Sequence, residues 1–252
     1  LLRWISYKYG FGTYIHFIKG FLTRETTIES EDILRRLLHV ASGSKNRVYL
    51  DTIISPSYTS AIAQVIQLSG LSGRGNNMIL FEFSKNEPES LNDAIDNFSL
   101  IISSGFDVCV LSTSYKGFGY RKEIHIWITS EDYENANLMI LLAYIILGHP
   151  DWHDGMIKIF AVFDGKDTQE RHNNLLSLIK SGRLPISSRN VNQISLGKDD
   201  DLKTIVSQNS SDADLTILGF MGETISLDKF IGYDDDLANI LFVNSFREKE
   251  IT

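Results

Sequence analysis

The chain is short of several features at once, and each shortage narrows what it can be. One cysteine, Cys109, stands in 252 residues, so no internal disulfide framework can form and the chain suits a reducing compartment. There is no basic tract: the formal charge is −8 and the pI about 5.2, which argues against a nucleic-acid reader. The longest apolar run, "LMILLAYIIL" from Leu138 to Leu147, is about half of what a membrane span needs. The opening "LLRWISYKYG" lacks a leader cleavage site, and its aromatic-basic start without Met reads as a piece cut from something longer. No nucleophile elbow, triad spacing or paired zinc motif occurs, so a non-catalytic chain is expected.

What the sequence does contain is ordinary globular composition, 43% hydrophobic and 22% charged, arranged as repeated alternation of strand-like and helical runs. "TYIHFIKGF" reads as a strand and "SEDILRRLLHVASG" as a helix. Ser30 is placed to cap that helix, and Ile33, Leu34, Leu37, Leu38 and Ala41 share one face. "RVYLDTII", "NMILFEF" and "DVCVLS" are further strands. Between them lie a helix opened by Ser55-Pro56 and a stripe of Leu91, Ala94, Ile95, Phe98 and Ile102. After the polar connector "TSYKGFGYRK", the strands are "EIHIWI", "MIKIFAVF", "NVNQISL", "LTILGF" and "ILFVNS". Helices "ENANLMILLAYIILG", "TQERHNNLLSLIKSG", "DDLKTIVSQN" and "SLDKFIG" separate them. Near-continuous apolar strands alternating with helices predict α/β subdomains with doubly wound parallel sheets in three layers. The expected division is a tether over 1–14, a first subdomain over 15–114 and a second over 115–252. The helix at Leu138–Leu147 is apolar all round, which predicts burial between sheet and neighbouring subdomain, or a homodimer contact.

Several constellations could carry chemistry. In "QLSGLSGRGNN", Gly70, Gly73 and Gly75 follow a helix and precede a strand. A phosphate cradle needs the opposite order, because helix C-termini present carbonyls, so these glycines read as a helix stop and turn. After "LTILGF", Gly219, Gly222 and Gly232 keep a G-x2-G-x9-G spacing that resembles the nucleotide loop of universal stress proteins. Tyr233 stands where that loop has a small hydroxyl residue, so these three glycines are a candidate cofactor loop with its phosphate hydroxyl missing. "GHPDWHDG" gathers His149, Asp151, His153 and Asp154, which would hold a metal only if they converged; loop polarity is the simpler reading. His16 and His125 lie in strands and read as packed side chains, and Cys109 as an inert thiol. The runs Asp199–Asp201 and Asp234–Asp236 lack the calcium-loop pattern, and the first sits where a helix would start.

Taken in order, these segments resemble the cytoplasmic C-terminal domain of cation-chloride cotransporters. "LSGLSGRGNNMILFEFSKN" is similar to that family's helix ending Ser-Gly-Leu-Gly, a basic residue, Pro-Asn and a strand; Asn76 replaces the proline and a Ser-Gly is added. "IDNFSLIISSGFDVCVLS", "KEIHIWIT", "LLAYIILGHPDWHDGMIKIFAVFDGK", "LKTIVSQNSSDADLTILGF" and "LANILFVNS" follow in the family's sequence, from about Ile15 to Asn244. The absence of long insertions points to a prokaryotic relative. The resemblance implies a regulatory, dimerising domain on the cytoplasmic side of the cell membrane, partnered with itself and with its own transmembrane part. It implies no bound ion, no required cofactor and no lipid insertion by this portion. "LLRWISYKYG" would be the tether, with Arg3 and Lys8 on the cytoplasmic face.

Overall fold

The computed structural model describes residues 1–8, 10–41, 48–68, 76–131, 133–162, 173, 190–195, 200–221, 225–247 and 249. Nine strands are defined among them: β1 Gly12–Lys19, β2 Val48–Ser55, β3 Met78–Ser84, β4 Asp107–Thr113, β5 Glu123–Thr129, β6 Met156–Val162, β7 Val191–Ile194, β8 Leu215–Gly219 and β9 Asn239–Asn244. The helices are α1 Leu2–Ile5, α2 Arg24–Ala41, α3 Tyr58–Gln67, α4 Asn92–Ile95, α5 Phe98–Ser103, α6 Ala136–Leu147 and α7 Leu202–Asn209.

β1 and β2 form a parallel two-stranded sheet, and the other strands form a seven-stranded sheet in the order β3-β4-β9-β8-β5-β6-β7. Every neighbouring pair is parallel except β4 and β9, which run antiparallel with Val110 opposite Phe242. The parallel pairs β3–β4 and β8–β9 are therefore related by a local two-fold axis through that contact. The sheet crosses residue 114: β3 and β4 are hydrogen-bonded into one sheet with strands from 115–252. Strand order reverses between β5 and β8, the switch point of a doubly wound α/β sheet.

Both faces of the sheet are covered, which explains the continuous apolar strands. On one face Cys109, Leu111, Ile124, Ile126, Ile128, Leu241 and Val243 pack under α6, with Trp4 of α1 beside it. On the other, Val108, Val110, Trp127, Ile240 and Phe242 meet Ile62 of α3, Phe98 and Ile101 of α5, Val206 of α7 and Phe230. The chain is thus a three-layer α/β protein. α6 lies on its face with most side chains buried, while Leu141, Tyr144, Ile145 and Leu147 are half-buried.

Several helix boundaries differ from expectation. α2 begins at Arg24, six residues before Ser30. The Thr23 hydroxyl accepts the Thr26 amide at 3.3 Å, and Ser30 instead bonds the Thr52 hydroxyl of β2 at 2.6 Å. The β-branched Thr26 and Thr27 hid the first turn. Leu38, expected on the packed face, is half exposed. α3 is capped by Ser57, whose Oγ accepts the Ser60 amide at 3.1 Å, and Pro56 precedes the cap. "SLDKFIG" forms only a short 3₁₀ turn at Leu227–Lys229. The expected helix "TQERHNNLLSLIKSG" and the glycines of "LSGLSGRG" lie outside the described residues, apart from helical Asn173.

Candidate functional site

The glycine loop comes first. Gly219 ends β8 and Gly232 adopts φ +82°, whereas Gly222 lies outside the described residues. Three lysines from separate elements hold the segment around Gly232. Lys203 of α7 donates to the Asp228 and Ile231 carbonyls at 2.6 and 2.7 Å, and lies over the Tyr233 ring at 5.5 Å. Lys85, just after β3, donates to the Asp234 and Leu237 carbonyls, and Lys116 of the connector to the Asp236 carbonyl. Phe230 points inward and contacts Phe220 and Phe242 at centroid distances of 5.1 Å. Lys203, the cation beside Gly232, is thus engaged by peptide oxygens, as is Lys229 within the loop, and the Phe230 ring packs into the core below.

The second constellation was not singled out by sequence, because its members are spread over 88 positions. His125 of β5 is buried; its Nδ1 lies 3.0 Å from Ser210 Oγ and its Nε2 2.9 Å from Glu123 Oε2. The Trp127 indole N–H donates to the same serine oxygen at 2.9 Å, and Lys158 of β6 pairs with Glu123. One proton arrangement satisfies every group: Trp127 N–H to Ser210, Ser210 O–H to Nδ1, Nε2–H to the carboxylate. Burial disfavours the imidazolium and, against the Glu123 hydrogen bond, holds the His125 pKa below its usual value. Serine, histidine and a carboxylate are the residue types of a nucleophilic triad, but Ser210 is fully buried and its oxygen accepts an indole proton. It relays hydrogen bonds; it is not placed to attack a substrate.

Glu123, His125 and Asp212 also bring three metal-ligand atoms within 4.8 Å of one another. The Lys158 ammonium bonds Glu123 and lies 3.9 Å from Asp212, so the place of a cation is already taken by a side chain. Exchanging Ser210 for alanine strands the Trp127 indole N–H and the His125 Nδ1 in the core. We expect Ser210→Ala to lower unfolding free energy by about 2–3 kcal/mol in urea titrations at neutral pH. Because the folded imidazole is depressed, its contribution is full above about pH 6.5 and is lost as pH falls through the lower folded value.

The third constellation joins the first residues of the chain to the turn after α6. Trp4, 3% exposed, packs edge-on against Phe118 at 4.5 Å and Trp152 at 5.4 Å. Its indole N–H donates to Asp151 Oδ2 at 3.0 Å. Arg3 pairs with the same oxygen, Arg121 approaches it at 3.5 Å, and both guanidiniums lie over the Trp4 ring. Partial burial raises the Asp151 carboxyl, but the Trp4 hydrogen bond and the two arginines outweigh it and hold the pKa below the usual carboxylate range. His149 Nδ1 accepts the Asp151 amide at 3.0 Å, capping the Pro150–Trp152 turn. The quartet of "GHPDWHDG" does not converge as ligands; His153 pairs with Asp154 and His149 with the Asp151 backbone. Trp4 and Asp151 are 147 positions apart, so no local pattern announces the contact.

No protein-family model and no curated protein matches the sequence. Among solved structures, the chain is similar to the cytoplasmic domain of a prokaryotic cation chloride cotransporter. The TM-score is 0.63 at 17% identity, covering 98% of this chain and 90% of that one. A universal stress protein from Archaeoglobus fulgidus DSM 4304 aligns with a TM-score of 0.58 at 11% identity, over 95% and 87% of the two chains. A putative universal stress protein from Pseudomonas aeruginosa UCBPP-PA14 gives 0.54 at 14% identity, over 91% and 81%. These likenesses establish a universal-stress-like three-layer fold, shared with a transporter's cytoplasmic domain. Among the described residues, no helix is long and apolar enough to cross a membrane.

Proposed function

We propose that the chain is the non-catalytic regulatory and self-associating domain of a membrane cation-chloride cotransporter, placed on the cytoplasmic side. The observation that carries this reading is the docking of residues 1–8. Trp4 and Arg3 lock the start of the chain onto the turn after α6, so a force arriving through the opening segment reaches the central sheet rather than dissipating in a loose linker. The near-complete overlap with a cotransporter's cytoplasmic domain supports it. Self-association is supported by α2, which buries no residue and exposes Ile28, Leu38 and Val40.

In the intact transporter, removing this domain is expected to change rubidium and chloride flux at equal surface expression. Unchanged flux would end the regulatory reading. Sedimentation of the domain is expected to reveal a concentration-dependent dimer, and a strict monomer at high concentration would remove the self-association claim.

A second reading, a universal-stress-type nucleotide module, is favoured by one feature: β5 to β9 follow the spatial order β7-β6-β5-β8-β9, and Gly219 and Gly232 flank the last crossover. Calorimetry with ATP decides it, and no heat at millimolar nucleotide would eliminate it.

A further inference from the structure

We propose that His149 is a proton-operated release for the N-terminal segment: the neutral ring holds the docking turn in shape, and its protonation undocks residues 1–8. The geometry demands a neutral ring. Nδ1 accepts the Asp151 amide at 3.0 Å, and an imidazolium carries a proton on that nitrogen, setting donor against donor. The capped turn presents both Asp151, which receives Trp4 and Arg3, and Trp152, against which Trp4 packs. Losing the cap therefore disturbs both halves of the Trp4 socket.

The charges around the ring sharpen the effect. From the N-terminal segment, Arg3, Tyr7 and Lys8 face this region, with Tyr7 edge-on to the imidazole at 4.5 Å. From the connector comes Arg121, and from the turn itself Asp151, His153 and Asp154. A charge on His149 is opposed by Arg3 and Arg121. It is favoured by Asp151, whose Oδ1 lies 3.5 Å away, while Trp4, Arg3 and Arg121 engage the other oxygen, Oδ2, and neutralise part of the carboxylate's charge. Burial acts first against the charged ring, and with the arginines it outweighs Asp151, so the docked pKa is depressed. The sign follows: docking is full above the free imidazole value of about 6.5 and weakens as pH falls through the docked value. Protons have a route, because His149 lines a solvent-open cavity of about 770 Å³ with Tyr7, Lys8, Gly148, Pro150 and His153. The release is a property of this chain and does not depend on the transporter reading.

The test is amide hydrogen exchange between about pH 7.5 and pH 5, corrected for intrinsic rates. The amides of Trp4, Ile5, Ser6 and Tyr7, bonded to carbonyls within the segment, report docking. Their protection is expected to fall with pH, by at most about tenfold per unit for one proton, while β9 keeps its own. His149→Gln retains an acceptor without titrating, so its protection is expected to be flat. Flat protection in the wild type, or a slope surviving in H149Q, overturns the proposal. Should H149Q not fold, the wild-type His149 ring resonance decides: its titration midpoint must coincide with the loss of protection, and a separate midpoint refutes the link.

Discussion

Alanine at Gly119 is expected to lower unfolding free energy by about 3 kcal/mol, far more than a loop glycine ordinarily commands. Two costs combine. Gly119 holds φ +43°, where a side chain costs about 1 kcal/mol. An added Cβ would also lie 2.1 Å from Asp214 Oδ1, so the carboxylate must move. That carboxylate is the anchor of the connector: it accepts the backbone N–H groups of Tyr120, Lys122 and Glu123 at 2.7, 2.6 and 2.9 Å. Asp214→Ala leaves those three donors without their acceptor, and we expect a loss of about 4 kcal/mol. Because the first substitution acts partly by displacing the second residue, the two must couple. The double variant should cost about 1–3 kcal/mol less than the sum of the singles in denaturant titrations. Additivity would mean that the strain at Gly119 is purely backbone and that the carboxylate tolerates the shift.

This pair also marks the limit of what the sequence discloses. The strands were legible because burial on both faces writes uninterrupted apolar runs, as in "DVCVLS" and "EIHIWI". The three-layer α/β class followed from their alternation with helices. The antiparallel β4–β9 contact was not legible, since residues 108–112 and 240–244 read the same whichever way their neighbour runs. Nor was the separation of β1 and β2 into their own sheet, because pairing is a choice among edges and leaves no local mark.

Site residues follow the same division. The apolar run around Cys109 predicts an inert thiol, and burial does push that thiol far up. Asp201 sat where a helix would begin, and it caps α7 through the Thr204 amide at 3.0 Å. The Trp4–Asp151 clamp and the Ser210–His125–Glu123 relay went unseen. Each is assembled from residues whose meeting depends on the completed sheet, and a histidine in a strand carries no sign of which serine it will find.

Phe230→Ala is expected to cost about 3–5 kcal/mol, the range for removing a buried large aromatic. Its ring contacts Phe220, Phe242 and Phe98, so truncation empties the centre of an aromatic cluster rather than trimming its rim. The loss should also be local. Asp228 and Ile231, whose carbonyls receive Lys203, stand on either side of Phe230, and without that ring the segment keeps Leu237 as its buried anchor, with Tyr233 against Phe242 and polar contacts nearer the surface. Exchange protection across 227–237 is then expected to fall more than protection in β8 and β9. Phe230→Leu, which keeps most of the apolar volume, should recover much of the stability. The same variants bear on the nucleotide reading. A nucleotide seated beneath this segment would need the space Phe230 fills, so ATP heat that is absent in the wild type and present in F230A would mean the ring closes a latent site. Silence in both would leave the segment a structural closure of the sheet, and a cost below about 1 kcal/mol for F230A would refute the anchoring role itself.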